Sequence, residues 1–191
     1  MPDVWPVIAT RGRPQWIRRQ LDALKPQLTG DERIVVVVDG DIDTALALAD
    51  EPPGKVLVVP IGNQVGVYRA RRAGNSQVPY DAVVCEIDDH DLAAPELLAR
   101  LRAAFAKPDI MMAYCDVWMT DSGETIKRAH KPKGKQSFVT GGQVALGMKA
   151  YRRWLYDLAG GHPTCYVAGG DYRLMVSLET LAGIEAVAYI E

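Results

Sequence analysis

The sequence predicts an α/β fold whose mostly parallel sheet is covered by helices on both faces. Short apolar runs alternate with amphipathic helical patterns from residue 4 to residue 119, and this alternation is typical of parallel sheets with helical crossovers. The run RIVVVV at residues 33–38 is apolar at every position except the first, as expected for a strand buried on both faces. A chain of 191 residues is long enough to form one domain with a sizeable core.

The elements of the first part follow one another with short connections. Residues 4–10 form the first predicted strand, and residues 14–28 form an amphipathic helix. Pro14 suits the first turn of that helix, where its missing N–H is not needed. The predicted apolar side of the helix consists of Trp16, Ile17, Leu21 and Leu24. Further strands are predicted at residues 33–38, 55–60, 81–87 and 110–119, and further helices at residues 42–49, 66–75 and 94–106.

The second part of the chain is less regular and predicts a small antiparallel extension of the sheet. Asp121-Ser122-Gly123-Glu124 indicates a turn between two antiparallel strands. The pattern then predicts a strand at residues 143–148, helices at 149–158 and 171–181, and a last strand at 183–190. On the first of these helices, Tyr151 and Trp154 would form a face that packs on the core.

Composition and charge exclude several classes of protein. A net charge of −2 gives no general reason to expect a nucleic-acid-binding protein. Cys85, Cys115 and Cys165 lie far apart with no CxxC pair, which argues against a disulfide framework or a structural zinc site and suits a reducing compartment. The start of the chain lacks the pattern of a signal peptide, and no apolar run has the length of a membrane span. We therefore expect a cytoplasmic protein without a transmembrane segment.

Acidic residues follow three of the predicted strands. They are Asp39, the cluster Asp88-Asp89-His90-Asp91, and Asp116. Ligands of open α/β sheets bind outside the carboxyl ends of the strands, so these carboxylates should lie along one edge. Asp is also common in turns and helix caps. We expect that ordinary role for Asp116, and a functional role for Asp39 and the cluster.

A divalent cation would offset the crowded charge of this cluster. Carboxylate oxygens suit Mg²⁺ and Mn²⁺, and the imidazole of His90 favours Mn²⁺ over Ca²⁺. The alternating acids from Asp39 to Asp43 are not an EF-hand loop, because Thr44 and Asp50 occupy its sixth and twelfth positions.

A nucleotide is the natural companion of such a metal, but the sequence has neither of the common glycine-rich phosphate loops. The phosphates would then be neutralised by the metal and by basic side chains, of which one or two should matter. The candidates are Arg11, Arg13, Arg69, Arg71 and Arg72.

Five motifs together resemble the GT-A-fold glycosyltransferases, and most closely the family 2 type of nucleotide-sugar transferases. The resemblance covers nearly the whole chain, and its strength lies in the shared order and spacing of motifs that are weak singly. VIATRGRP resembles the first strand and its turn, and VVVVDGD the second strand with its nucleobase aspartate. NQVGVYRARRAGNS resembles the asparagine, glycine and Ala-Arg segment. EIDDHD occupies the place of the metal-binding Asp-x-Asp, and VAGGDYRLMVSL that of the segment with the catalytic base.

The resemblance implies a single GT-A-like (Rossmann-like) domain over residues 1–191. Residues 1–116 would bind the nucleotide sugar, and residues 117–191 would supply the acceptor site and the catalytic base, Asp171. The implied donor-binding residues are Thr10, Arg11, Arg13, Asp39, Arg71, Asp88 and Asp89. The implied ligands of Mn²⁺ or Mg²⁺ are Asp89, His90 and Asp91.

The sequence departs from the family pattern at two places. The metal motif fits either as Asp88-x-His90 or as Asp89-x-Asp91, and the sequence leaves both open. The family often has an acidic pair before the helix of the base, whereas Gly169 and Gly170 precede Asp171 here. Asp171 could alternatively be an N-cap of that helix.

The resemblance implies a metal-dependent transferase that moves a sugar from a nucleoside-diphosphate donor, of UDP or GDP type, to an acceptor hydroxyl, with inversion. A sugar-nucleotide nucleotidyltransferase, a phosphoesterase and a non-catalytic nucleotide- or sugar-binding module are the alternatives. The acceptor is open. The segment TIKRAHKPKGKQ has five Lys or Arg, His130 and no acid, which fits a solvated loop. It also fits a loop that closes over the diphosphate or docks an anionic glycan, lipid-linked acceptor or nucleic acid.

Overall fold

A seven-stranded sheet forms the centre of the part of the chain that the structure describes. This computed structural model describes residues 1–52, 54–115, 118–121, 125–128, 136–141, 147–164 and 169–190. The strands of the sheet are β1 (Val4–Thr10), β2 (Ile34–Asp39), β3 (Val56–Ile61), β4 (Val83–Glu86), β5 (Met112–Cys115), β8 (Lys149–Arg152) and β9 (Val187–Ile190). Strands β6 (Trp118–Asp121) and β7 (Thr125–Arg128) form a separate antiparallel pair.

The strand order is β3-β2-β1-β4-β8-β5-β9. Strand β8 runs antiparallel to both of its neighbours, β4 and β5, while the other neighbouring strands are parallel. The helices are α1 (Pro14–Leu24), α2 (Ile42–Ala47), α3 (Val67–Asn75), α4 (Leu97–Phe105), α5 (Phe138–Gly141), α6 (Arg153–Leu158) and α7 (Gly170–Ala182). The predicted α/β class, with a mostly parallel sheet and an antiparallel extension, is confirmed.

The two faces of the sheet are covered by separate apolar layers. On β2, Ile34, Val36 and Val38 belong to a layer that includes residues of α1 and α4. Val35 and Val37 point the other way and pack with residues of α3 and α7. Side chains alternate along a strand, so an uninterrupted apolar run is what a strand covered on both faces needs. Strand β3 is less buried than predicted because it lies at the end of the strand order.

The predicted helix at residues 149–158 is wrong in its first half. Residues Lys149–Arg152 form β8, and the helix begins only at Arg153. The segment is extended because its backbone pairs with both β4 and β5, so tertiary pairing overrides a helical pattern. Tyr151 is therefore a buried strand residue and not part of a helix face.

Two further predictions need correction. Trp16 does not face the core: it is 48% exposed, and the guanidinium of Arg19 lies 5.4 Å from the centre of its ring. The predicted strand at residues 110–119 ends at Cys115, and Trp118 begins the separate β6–β7 pair. That pair confirms the antiparallel strands predicted around residues 121–124. Asp116, residues 129–135 with His130, and residues 142–146 lie outside the described residues.

No helix within the described ranges combines the length and apolar character needed to cross a membrane.

Candidate active site

The polar residues at the carboxyl ends of β1 and β4 meet at one edge of the sheet. Thr10 ends β1, and its hydroxyl donates a hydrogen bond of 2.8 Å to Oδ2 of Asp89. The guanidinium of Arg13 lies 2.7 Å from Oδ1 of the same carboxylate. The Nδ1 atom of His90 lies 3.2 Å from that oxygen as well. The charge of Asp89, which is buried, is therefore compensated by protein groups.

A second group of charges surrounds Arg71, which α3 projects into the interior. Its guanidinium forms ion pairs with Asp88, which follows β4, and with Asp171 in the first turn of α7. Burial alone would lower the pKa of Arg71, but the charges of Glu86, Asp171 and Asp88 raise it above its ordinary value. Arg71 thus stays protonated and joins segments that are 17 and 100 residues away in the chain.

Asp171 is held by side chains from two other elements. Besides Arg71, whose Nη1 lies 2.5 Å from Oδ1, Nζ of Lys149 on β8 lies 3.4 Å from Oδ2. Burial by itself raises the pKa of Asp171, but the charges of Arg71 and Lys149 outweigh it and hold the pKa below its usual value. Asp171 is therefore ionised at neutral pH. It is not the N-cap of α7, because Gly169 occupies that position.

A buried polar network lies beneath these ion pairs. Oε1 of Glu86 accepts hydrogen bonds from Nδ2 of Asn75, at 2.8 Å, and from the hydroxyl of Tyr151. Nε2 of His162 lies 3.3 Å from Oε2 of Glu86 and 3.9 Å from Oδ1 of Asp171. Burial is the main cause that lowers the pKa of His162, so its ring is neutral at pH 7. The network connects α3, β4, β8 and the segment before α7.

Asp39, at the end of β2, organises the loop before α3. Its two carboxylate oxygens accept hydrogen bonds from the backbone N–H groups of Val65, at 2.7 Å, and Gly66, at 2.9 Å. The following residue, Gly40, has a φ of +67°, and a Cβ there would lie 2.8 Å from the Cα of Gln64. Only glycine combines this backbone conformation with so close an approach. The DG pair therefore fixes the position of the loop.

The carboxylate of Asp91 is the least compensated of the cluster. It forms no hydrogen bond or ion pair with any residue that the structure describes. Burial raises its pKa, and the negative charge of Asp88 raises it further, while the charges of His90 and Lys149 oppose the shift without reversing it. Carboxylate oxygens without a hydrogen-bonded or ion-paired partner fit a hard divalent cation such as Mg²⁺ or Mn²⁺. Across the described residues, however, no group of three or more His, Cys, Asp or Glu side chains is arranged to hold a metal.

The five arginines of the sequence prediction have three different environments. Arg13 and Arg71 pair with acids of the cluster, as described above. Arg69 and Arg72 instead hold the segment before α7 through its backbone: Arg69 donates to the carbonyl of Thr164, and Arg72 to those of Gly160 and His162. Arg11 is exposed, and no partner for it occurs among the described residues.

Sequence reasoning missed three buried members of the site. The helical pattern places Lys149 on a helix, and nothing local to it indicates that it reaches Asp171. His162 follows two glycines in a segment without a pattern. Glu86 had a usable signal, because it is a charged residue at the end of the apolar run VVCE. A charge buried at such a place needs a partner, and that partner could have been sought.

The sequence profile of the family described as Glycosyl transferase family 2 matches residues 7–166. The chain belongs to this family. The match includes the second half of β1, all of β2 and α3, and the acidic cluster, whereas Asp171 lies beyond its last residue. No curated protein sequence matches the chain.

Several solved structures share the GT-A fold of this family 2 member. Residues 1–349 of S. aureus TarS superpose with a TM-score of 0.78 at 15% identity, over 98% of this chain and 58% of that chain. The mannosyltransferase PcManGT from Pyrobaculum calidifontis, solved with GDP-Man and Mn²⁺, gives 0.67 at 18% identity, over 99% and 56%. GalNAc-T7, solved with UDP, GalNAc and Mn²⁺, gives 0.71 at 16% identity, over 100% and 42%. This chain thus spans about half the length of these three solved chains.

Proposed function

We propose that this glycosyltransferase moves a sugar from a nucleoside-diphosphate donor to an acceptor hydroxyl, with inversion at the anomeric carbon and with the help of a divalent cation. One observation carries the proposal: Arg71 joins Asp88, the first residue of the acidic cluster, to Asp171, at the start of α7. An ionised carboxylate thus lies next to the strand ends, where ligands of open α/β sheets bind.

The donor site in this proposal lies along the carboxyl ends of β1, β2 and β4, within residues 1–116. Asp39 and its loop would receive the nucleobase, and Arg11 and Arg13 would face the diphosphate. Arg11 is exposed and the side chain of Arg13 is half exposed, which leaves both accessible to an anion. The floor of the donor site would be formed by two contacting pairs, Thr10 with Asp89 and Arg71 with Asp88. A donor of UDP or GDP type is supported by TarS, solved with UDP-GlcNAc, and by PcManGT, solved with GDP-Man.

We place the proposed Mn²⁺ or Mg²⁺ at Asp89, His90 and Asp91. Such a cation, when bound, offsets the charge that develops on the departing diphosphate. Asp91 is the member whose carboxylate forms no hydrogen bond or ion pair with a described residue, whereas Asp88 and Asp89 pair with Arg71 and Arg13. This difference favours the Asp89-x-Asp91 register over the Asp88-x-His90 register.

Asp171 is the proposed general base. The acceptor oxygen attacks the anomeric carbon, its proton passes to the carboxylate of Asp171, and the bond from the anomeric carbon to the diphosphate oxygen breaks with its electron pair. One displacement of this kind inverts the configuration. Arg71 and Lys149 keep Asp171 ionised, so that it can accept a proton at neutral pH. The acceptor would bind on the side of residues 117–191, and its chemistry stays open between the anionic classes named above. We propose the cytoplasm as the compartment.

The first test is a thermal-shift or calorimetric titration with UDP, GDP, CDP, dTDP and their common sugar conjugates, with and without Mn²⁺. We expect one nucleotide to stabilise the protein, because a ligand that binds only the folded state raises its stability. The stabilisation should depend on the metal. A folded sample that responds to none of these nucleotides would contradict the proposed donor site.

The metal register is tested in the same titration with single variants. Asp91→Ala should abolish the dependence on Mn²⁺, because the proposed ligand without a protein partner is removed. Asp43→Ala, a change of the same type on α2, is the matched control and should leave the dependence unaltered. If Asp91→Ala, Asp89→Ala and His90→Ala all keep the wild-type dependence, the metal binds elsewhere.

A further inference from the structure

The residue before Asp171 is a buried glycine whose missing side chain is replaced by a ring from another helix. A Cβ on Gly170 would lie 2.5 Å from Cζ and 2.6 Å from Cε2 of Tyr68. Real Cβ atoms essentially never come so close to other atoms. Gly170 and the aromatic ring of Tyr68 therefore fit each other, and a side chain at position 170 would require the ring to move.

The same tyrosine also caps the helix that carries Asp171. The backbone N–H of Gly170 donates a hydrogen bond of 2.9 Å to the hydroxyl of Tyr68. The first N–H groups of an α-helix have no partner within the helix, and the N-cap residue Gly169 has no side chain that could accept one. Tyr68 supplies the missing acceptor from α3, 102 residues away in sequence.

Tyr68 and Arg71 act on consecutive residues of α7 from the same side of α3. Residues three apart on a helix are neighbours on its surface, and these two contact Gly170 and Asp171, respectively. Tyr68 fixes the backbone where α7 begins, and Arg71 fixes the carboxylate one residue later. The rings of Tyr68 and His162 also pack in a T-shaped arrangement, with 5.8 Å between ring centres, so the tyrosine is itself held in place.

We propose that Tyr68 is a positioning residue, which sets the location of Asp171 by holding the first turn of α7. The proposal rests on the function proposed above, in which Asp171 is the base. It also accounts for Gly170 in place of the acid that the family often has before the base, because the ring of Tyr68 occupies that space. Positioning of a base affects turnover more than donor binding, since a displacement of about 1 Å can lower a rate about 100-fold.

The test is a double-mutant cycle between positions 68 and 170, with kcat and the donor KM measured separately. Tyr68→Phe keeps the ring and loses the acceptor, so kcat should fall up to about tenfold, as for one lost hydrogen bond, while the donor KM stays within about twofold. Gly170→Ala should lower kcat by about 100-fold. In the Tyr68→Ala background the space is open, and Gly170→Ala should change kcat by less than about twofold.

Tyr80→Phe is the matched control. Because Tyr80 is exposed, this substitution should leave kcat and KM unchanged. If Gly170→Ala lowers kcat equally in the wild-type and Tyr68→Ala backgrounds, the proposed fit between Tyr68 and Gly170 is contradicted. A rise in donor KM without loss of kcat would overturn the positioning role. If the wild type binds a donor and shows turnover, and Tyr68→Phe has the same kcat as the wild type, this inference is contradicted while the proposed function stands. Absence of donor binding in the wild type would instead contradict the proposed function.

Discussion

At the scale of single residues, the site is defined by which carboxylates are compensated and which are not. Asp89 accepts a hydrogen bond from Thr10 and pairs with Arg13, and Asp171 pairs with Arg71 and Lys149. Asp91 has a raised pKa because it is partly buried and close to Asp88. An acid held ionised by cations suits proton acceptance at neutral pH. An acid without a paired cation suits a metal ion. The environments thus distinguish Asp171, the proposed base, from Asp91, the proposed metal ligand whose carboxylate has no hydrogen bond or ion pair with a described residue.

We predict that Asp171→Asn abolishes turnover without abolishing donor binding. The amide keeps the size of the side chain but cannot accept the acceptor proton, so kcat should fall by a factor on the order of 100 to 10,000. The measurement compares kcat with the thermal shift caused by the preferred nucleotide sugar. Asp22→Asn, on the exposed side of α1, should change neither. Near-normal turnover in Asp171→Asn would show that another group is the base.

At the scale of elements, α3 organises the candidate site by contacting α7, the segment before it and the end of β4. Its first turns reach α7 through Tyr68 and Arg71. Arg72 holds the segment before α7, and Asn75 binds Glu86 at the end of β4. The helix itself packs on β1 and β2, so the element that makes these contacts is held in place by the sheet. The loop that leads into α3 is fixed in turn by Asp39 and Gly40.

We predict that Gly40→Ala destabilises the protein and weakens donor binding together. The positive φ alone costs an alanine about 1–2 kcal/mol, and the contact with the Gln64 backbone adds about 1–3 kcal/mol. The displaced loop would also lose its hydrogen bonds to Asp39. Chemical denaturation and a nucleotide titration measure the two effects.

Gly30→Ala is the matched control for this prediction, because Gly30 has a φ of +56° and a Cβ added there would meet nothing within 4 Å. It should show the backbone cost alone, about 1–2 kcal/mol, with unchanged donor binding. If the two variants lose equal stability, the close approach of the Gln64 loop does not contribute.

At the scale of the whole molecule, one buried ion pair connects three distant segments. Glu32 accepts hydrogen bonds from the backbone N–H of Val4, at 2.8 Å, and of Thr29, at 2.7 Å. Arg102 on α4 pairs with the same carboxylate and donates to the carbonyl of Gln27. The side chain of Glu32 is fully buried, so its charge depends on these partners. The start of β1, the segment that follows α1, and α4 are thereby joined on one face of the sheet.

We predict that Arg102→Leu costs about 3–5 kcal/mol of unfolding free energy at pH 7, because it leaves a buried carboxylate without its cation. Arg100→Leu, on the same helix, should cost no more than about 1 kcal/mol, since its pair with Glu96 is at the surface. Urea denaturation of both variants measures the difference. Equal losses would mean that the burial of Glu32 does not decide the effect.

The loss in Arg102→Leu should depend on pH. Burial alone raises the pKa of Glu32, but Arg102 and the two backbone N–H groups hold it below its ordinary value of 4.5. In the wild type this stabilisation is present above pH 4.5 and is lost as the pH falls through the lowered pKa. Without Arg102, burial raises the pKa of Glu32. Protonation of Glu32 at low pH then removes the unpaired buried charge that destabilises the variant. The difference in unfolding free energy between the wild type and Arg102→Leu should therefore decrease from about pH 7 towards about pH 4. A difference that stays constant over this range would contradict this account.

The sequence by itself determined the class of the fold, the bounds of β1 and most of β2, and the edge of the sheet at which the acids of the candidate site lie. These features depend on local patterns: an apolar run specifies a buried strand, and acids after such runs must lie at the strand ends. The start of α7 was predicted within one residue for the same reason.

Only the tertiary structure decided that Lys149–Arg152 is a strand, since its partners β4 and β5 lie far away in the chain. The same holds for the exposure of Trp16, for the network of Glu86 and His162, and for the fit of Tyr68 to Gly170. Each depends on contacts between residues that are distant in sequence. A local sequence pattern does not specify which distant residue will become a contact partner, because that is decided only when the chain folds. For this physical reason the sequence indicated the candidate site but not how its residues are held.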